Sequence, residues 1–136
     1  MNMEITFPGG ARVDAAFGDF VVKTDQPWQG GGEGSAPTPF ALFLASIGTC
    51  AGIYVLGFCR QRNLPVDGIR IRQDVEFDPM TRMVKRVNLD IDLPADFPTK
   101  YAPALIKSAE LCAVKKHLEH PPEFQVRTHI SGSPEN

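Results

Sequence analysis

Cysteine is scarce in this chain, with three among 136 residues, and so are tryptophan, with one, and net charge, which is -2. Each scarcity excludes something. Cysteines at positions 50, 59 and 112 are too few and too scattered for the disulfide framework of a small secreted domain. Met1 to Ile5 carries no basic-then-apolar export signal, so the expected compartment is the cytoplasm, where thiols stay reduced unless their chemistry is redox. Charges of intermixed sign argue against nucleic acid or an acidic membrane as the main partner. The glycine cluster Gly30-Gly31-Gly32 with Gly34 lacks the Lys and Ser/Thr of a phosphate-binding loop, and Asp25 to Pro37 is therefore expected to be a mobile connection. Cys112, His117 and His120 follow no common zinc spacing, no Ser-His-Asp arrangement can be located, and His129 fits a surface position. No metal and no cofactor are expected.

A hydrophobic content of 43% supports one globular domain over residues 1–136. Its organising stretch is Thr38 to Asn63, uncharged until Arg60. Thr38 can cap a helix and Pro39 suits the first helical position, where no amide hydrogen is needed; Arg60, Arg62 and Asn63 suit an end before Pro65. The run is about long enough to cross a bilayer, and Gly48 and Gly52 form a GxxxG pair. A membrane span would split the strands on either side into pieces too small to bury a core, so the spacing predicts a core helix enclosed by sheets or by a partner chain. Phe43, Ile47, Cys50, Tyr54 and Gly57 keep to one face of that helix, and Cys59 falls about half a turn from Cys50.

Around the helix the pattern is antiparallel. Glu4 to Phe7, Arg12 to Ala16 and Phe20 to Thr24 are expected strands, the last two joined by a tight turn at Gly18-Asp19. Gly68 to Phe77 and Arg82 to Leu93 alternate apolar and polar residues on either side of Asp78-Pro79-Met80-Thr81, predicting a long hairpin with one wet face. A second helix is expected over Pro98 to Leu111, further helical turns over Cys112 to His120 before Pro121-Pro122, a last strand over Glu123 to Ile130, and a frayed tail from Ser131 to Asn136. The fold class is thus α+β.

Candidate chemistry rests on the thiols. A lone cysteine is most often a small buried apolar residue. Two of the three have more to recommend them. Cys50 lies beside Gly48, Ala51 and Gly52, which leave room for a substrate, and Cys112 lies where one helix breaks and another starts, with Lys115 and Lys116 nearby to favour its thiolate. Two such cysteines on packed helices can run a cycle from sulfenic acid to disulfide.

Thr38 to Cys50, followed by a long helix, a hairpin and Glu110-Leu111-Cys112-Ala113-Val114-Lys115-Lys116-His117-Leu118, resembles the OsmC/Ohr family over nearly the whole chain, nearer its YhfA-like branch than the Ohr enzymes. The resemblance implies antiparallel sheets packed around a long buried central helix in an intertwined two-fold homodimer. It also implies a thiol peroxidase for organic hydroperoxides: Cys50 peroxidatic, Cys112 resolving, Arg12 stabilising the thiolate, Phe40, Phe43 and Tyr54 lining an apolar pocket, and a dithiol as reductant. Phe40 departs from the family pattern. The peroxidases carry Asn-Pro-Glu where this chain has Thr38-Pro39-Phe40, which removes the carboxylate that orients the arginine unless Glu33 replaces it. Ala113 also stands where a proline usually follows the second cysteine. The alternative is a non-catalytic protein on the same scaffold that holds a small hydrophobic ligand.

Overall fold

Three strands at the start of the chain, β1 (Glu4–Gly9), β2 (Arg12–Phe17) and β3 (Phe20–Thr24), form an antiparallel meander in that order. The computed structural model describes residues 1–132. Gly18 takes φ +55°, the left-handed conformation that a two-residue hairpin turn requires, and Phe17 pairs with Phe20 across it. Among the described residues no other element packs extensively on the meander, and Phe7 and Phe20 stand exposed on it.

Residues 25–37, expected to be mobile, are instead gathered around one buried carboxylate. Asp25 is 1% exposed. Its side chain accepts from the backbone N–H of Gln26 (2.7 Å), Ser35 (3.0 Å) and Glu33 (3.4 Å) and from the Ser35 hydroxyl (2.5 Å). Gly32 passes so close that a Cβ there would lie 2.0 Å from the Gln26 carbonyl oxygen. The glycines thus let the chain fold tightly over the aspartate, and the Asp25 N–H donates to Pro37 O, closing the loop at the foot of the next helix.

That helix, α1 (Pro39–Gln61), starts as its sequence predicts: Pro39 occupies the first turn and Thr38 Oγ1 accepts from Ala41 N at 3.1 Å. It ends where Asn63 turns left-handed (φ 54°) and the Leu64 N–H reaches back to Cys59 O. Arg62 stacks over the Phe58 ring at 3.7 Å, covering the last turn. Although α1 is long and apolar enough to cross a membrane, its buried residues Ile47, Ala51, Val55, Phe58 and Cys59 form a stripe packed inside the domain. The opposite side, along Ala45, Thr49 and Ile53, is exposed. Within one chain the helix is therefore enclosed on one side only.

Covering the buried stripe is the hairpin of β4 (Arg70–Phe77) and β5 (Val84–Asp92), in which Ile71 pairs with Ile91, Gln73 with Leu89 and Val75 with Val87. Arg72 and Asp92, and Arg86 and Glu76, pair on its wet face. Gln73 Nε2 crosses to the helix and donates to Leu44 O at 2.9 Å. This approach needs Gly48, since a Cβ there would meet Gln73 Oε1 at 2.5 Å. A short 3-10 turn, Thr99–Tyr101, leads into α2 (Ala102–Ala109), and α3 (Ala113–Glu119) follows; both helices pack on α1. The core joins Val55, Phe58 and Cys59 of α1 to Phe97 and Leu105, with Ile69, Ile71, Ile91 and Leu93 of the hairpin region against them. Each fully buried aliphatic or aromatic side chain there contributes about 1.5–3 kcal/mol.

The expected last strand does not form. Residues 121–130 adopt neither strand nor helix, and Phe124, Val126 and Ile130 are 86%, 94% and 80% exposed. A strand exists only against an edge, and this segment pairs with none among the described residues. Of the expected frayed tail, Ser131 and Gly132 form a turn; positions 133–136 lie outside the described residues.

Candidate thiol site

Cys50 and Cys112 come from different elements and meet. Cys50 sits in the middle of α1, and Cys112 is the residue on which α3 begins. The packing of α3 on α1 puts the Cys112 thiol and the backbone N–H groups of Val114 and Ala113 where they favour the charged form of Cys50. These donors stabilise the charged form. Led by the Cys112 hydrogen bond, they hold the Cys50 thiol below its ordinary pKa, against the opposing effect of burial. Cys112 goes the other way: burial, and then its hydrogen bond to Cys50, push its pKa up, and the N–H groups of Lys115 and Val114 do not offset them. The helix start expected to favour the Cys112 thiolate thus serves Cys50 instead, because Cys112 is only 2% exposed. The pair is asymmetric, with a half-buried sulfur whose pKa is lowered beside a buried one whose pKa is raised.

Cys59 is fully buried in the core, where loss of solvation raises its pKa despite the Arg62 charge. It lies away from the pair, as the helical period predicts.

Arg12 is not brought to Cys50 within the chain. Gly9 (φ +144°) and Gly10 (φ +57°) turn the chain so that Arg12 Nε folds back onto Gly9 O at 3.2 Å, in a meander with little packing against α1. Glu33 does not orient it either. The Glu33 residue is exposed and its backbone is tied to Asp25, and no carboxylate pairs with Arg12 among the described residues.

The expected pocket lining is also displaced. Phe40 and Phe43 lie together, ring centres 5.6 Å apart, but are 50% and 38% exposed, and Tyr54 is half-buried. None of them lines the main cavity, of about 640 Å³, which is bounded by Ile47 and Ala51 of α1, the inner face of the hairpin, α2 and α3. Leu89, Ile91, Leu105 and Ile106 form much of its wall, with Glu110 and Lys115 also lining it, and Cys112, unlike Cys50, borders it. The predicted face, Phe43, Ile47, Cys50, Tyr54 and Gly57, shares Ile47 with the buried stripe through Ile47, Ala51 and Val55 and otherwise lies about one residue of helical rotation from it. Both stripes satisfy the helical period, and only the position of the hairpin chooses between them. The missed Asp25 anchor had a weak signal in the sequence, an Asx-forming residue at the mouth of a glycine-rich loop.

The fold and the pair together define an α+β protein with a two-thiol site between its central helix and the start of a short following helix. The chain belongs to the OsmC family, whose model, described as OsmC-like protein, matches residues 32–127. No curated protein matches it. Among solved structures it is similar to a protein from Psychrobacter arcticus described as an osmotic stress induced and detoxification response protein (TM-score 0.72, 21% identity, covering 85% of this chain and 86% of that one). It is also similar to an OsmC like protein from Mycoplasma pneumoniae (TM-score 0.64, 12% identity, 89% of each chain). A third is the organic hydroperoxide resistance protein OhrB of Bacillus subtilis (TM-score 0.55, 20% identity, 89% of this chain and 93% of that one). These matches span both OsmC-like and hydroperoxide resistance proteins, so they place the chain in the family rather than in one branch of it.

Proposed function

We propose that the protein is a thiol peroxidase that reduces organic hydroperoxides through Cys50 and Cys112. The observation that carries this reading is the placement of a half-buried cysteine in the middle of α1 beside the buried cysteine on which α3 begins, with the charged form favoured at Cys50 and disfavoured at Cys112. The likeness to a hydroperoxide resistance protein supports it. In the first step the Cys50 thiolate attacks the terminal peroxide oxygen, the O–O bond breaks, and the alkoxide leaves with a proton as alcohol. Cys50 is then a sulfenic acid. Cys112 gives up its proton and attacks Cys50 Sγ, water leaves, and the disulfide forms; a dithiol returns it to two thiols in the reducing cytoplasm. The three donors on Cys50 supply part of the stabilisation that the family's arginine and glutamate would give, so turnover without Arg12 at the sulfur is expected to be slow rather than absent.

A dithiol-driven assay with an alkyl hydroperoxide and with hydrogen peroxide tests this. Cys50→Ser should lower alkyl hydroperoxide turnover by roughly 100-fold or more, the order of loss when a nucleophile is removed. Wild-type protein with no activity above the Cys50→Ser background would leave the second reading, a binding protein for a small hydrophobic ligand, which the apolar cavity and Phe40 favour. The functional unit in either case is proposed to be a homodimer, in which a second copy covers the bare side of α1 and supplies an edge for residues 121–130.

A further inference from the structure

The turn between β4 and β5 sets bare thioethers over a closed backbone. Met80 is 89% exposed and Met83 69%, and Phe77, where β4 ends, is exposed too. Beneath them every N–H from Asp78 to Met83 is satisfied within the turn. The Asp78 carboxylate accepts from Met80 N at 2.8 Å and from Thr81 N at 3.1 Å, and Thr81 Oγ1 accepts from Met83 N at 3.3 Å. Asp78 N donates to Met83 O and Arg82 N to Asp78 O, while Pro79 has no N–H to satisfy. We propose that this tip docks the protein on a lipid surface carrying anionic headgroups, with Phe77, Met80 and Met83 entering the boundary between headgroups and acyl chains and Arg82 and Lys85 meeting the headgroup charge. The proposal goes beyond the thiol chemistry and does not depend on it.

A lipid surface fits this tip better than a protein partner does. Its closed backbone offers another strand no N–H to pair with, whereas entry among acyl chains requires that N–H groups be satisfied beforehand. Unbranched methionine side chains adapt to a fluid boundary. Arg82 takes φ +61°, a conformation that glycine adopts more easily, so a cation is held in the turn against the preference of the backbone. Among the described residues neither Arg82 nor Lys85 pairs with a carboxylate, while Asp78 is engaged by two N–H groups and Glu76 by Arg86 and Asn88. A chain of net charge -2 is not drawn to an anionic surface by charge alone. The cations act together with the apolar side chains, two weak anchors holding where one does not. The position of the tip serves the same contact. Ile71 packs at Gly52, and Gln73 at Gly48 and Leu44, so β4 runs toward the start of α1, two residues of strand advancing about as far as four of helix. Phe77 thereby reaches the level of Phe40, itself exposed, and the tip projects past that end of the helix.

The test spins the full chain with vesicles of phosphatidylcholine alone and of phosphatidylcholine with an equal part of phosphatidylglycerol. Association is expected with the mixed vesicles, weaker in high salt and weaker with phosphatidylcholine alone. Met80→Asp and Met83→Asp should each lower it by roughly tenfold. Arg82→Glu should weaken the preference for phosphatidylglycerol, and all three variants should melt with wild type, since they change only exposed positions. Contact at the tip is read separately. With mixed vesicles present, hydrogen peroxide should convert Met80 and Met83 to sulfoxides several-fold more slowly, while Met1 and Met3, exposed but away from the tip, are oxidised as fast as before. No association, association that folded Met80→Asp and Met83→Asp retain, or equal protection of all four methionines overturns the proposal. So does a Met80→Asp variant whose sedimenting mass changes without vesicles, which would assign the tip to a second copy of the chain.

Discussion

At the scale of single residues the three cysteines show how one side-chain chemistry takes three states. Cys59 loses solvent in the core with only the Arg62 charge to oppose that loss, Cys112 is buried beside another thiol, and Cys50 has the Cys112 thiol and two backbone N–H groups to favour its charged form. The largest contribution to lowering the Cys50 pKa comes from Cys112, so Cys112→Ala should raise the Cys50 pKa, moving the pH profile of Cys50 alkylation by iodoacetamide upward and slowing the reaction at pH 7. An unchanged profile would mean that the Ala113 and Val114 amides suffice alone. Cys59→Ala removes a sulfur from the packed core at a cost of about 1 kcal/mol, seen as a lower melting temperature, while hydroperoxide turnover stays within a few fold. The sequence was sufficient to single out Cys50 and Cys112 and to set Cys59 apart, because helical period and element breaks are local. Which of the pair holds the thiolate was not legible, since that depends on which sulfur the burial reaches. Nor was the place of Arg12, which is decided by a two-glycine turn.

Among the elements, the hairpin, the meander and the start of α1 were readable because alternation, turn residues and caps are written within a few positions. The loop before α1 was not. Its order depends on a single carboxylate reached from residues as far on as Ser35, and no periodicity announces that. Hydrogen bonds from the Ser35 hydroxyl, then from the Ser35 and Gln26 N–H groups, lower the Asp25 pKa from 3.8 to about 2. A carboxylate depressed in the folded state stabilises fully above its unfolded pKa and loses that contribution as the pH falls through the folded value. The loop's share of stability should therefore be complete above about pH 4 and vanish towards about pH 2. Asp25→Asn replaces an acceptor of several N–H groups with an amide that brings its own donors. It should open the loop to proteolysis between residues 25 and 37 at neutral pH and remove the acid step between pH 4 and 2 from the unfolding curve. A variant as protease-resistant as wild type would mean that the glycine-rich backbone holds its shape without the carboxylate.

For the molecule as a whole, the unresolved balance lies in what one chain leaves open. Ala45, Thr49 and Ile53 run along one side of α1, opposite the stripe that packs on the hairpin, and Ile53 is 58% exposed. Ala45 and Thr49, small and one turn apart, allow another helix to approach closely beside Ile53. The meander and residues 121–130 add Phe7, Phe20, Phe124 and Val126 to the exposed apolar surface. Ile53→Asp separates the alternatives. If the chain works alone, a charge at a position this exposed changes stability by no more than about 0.5 kcal/mol, as surface substitutions do. If a second copy seals that side of α1, the same carboxylate is buried without a partner, at a cost of several kcal/mol. The proposed homodimer therefore predicts that Ile53→Asp sediments as a monomer at micromolar concentration and melts at a temperature well below wild type. Wild-type protein that itself sediments as a folded monomer, with Ile53→Asp melting beside it, would show that α1 keeps a bare side in solution.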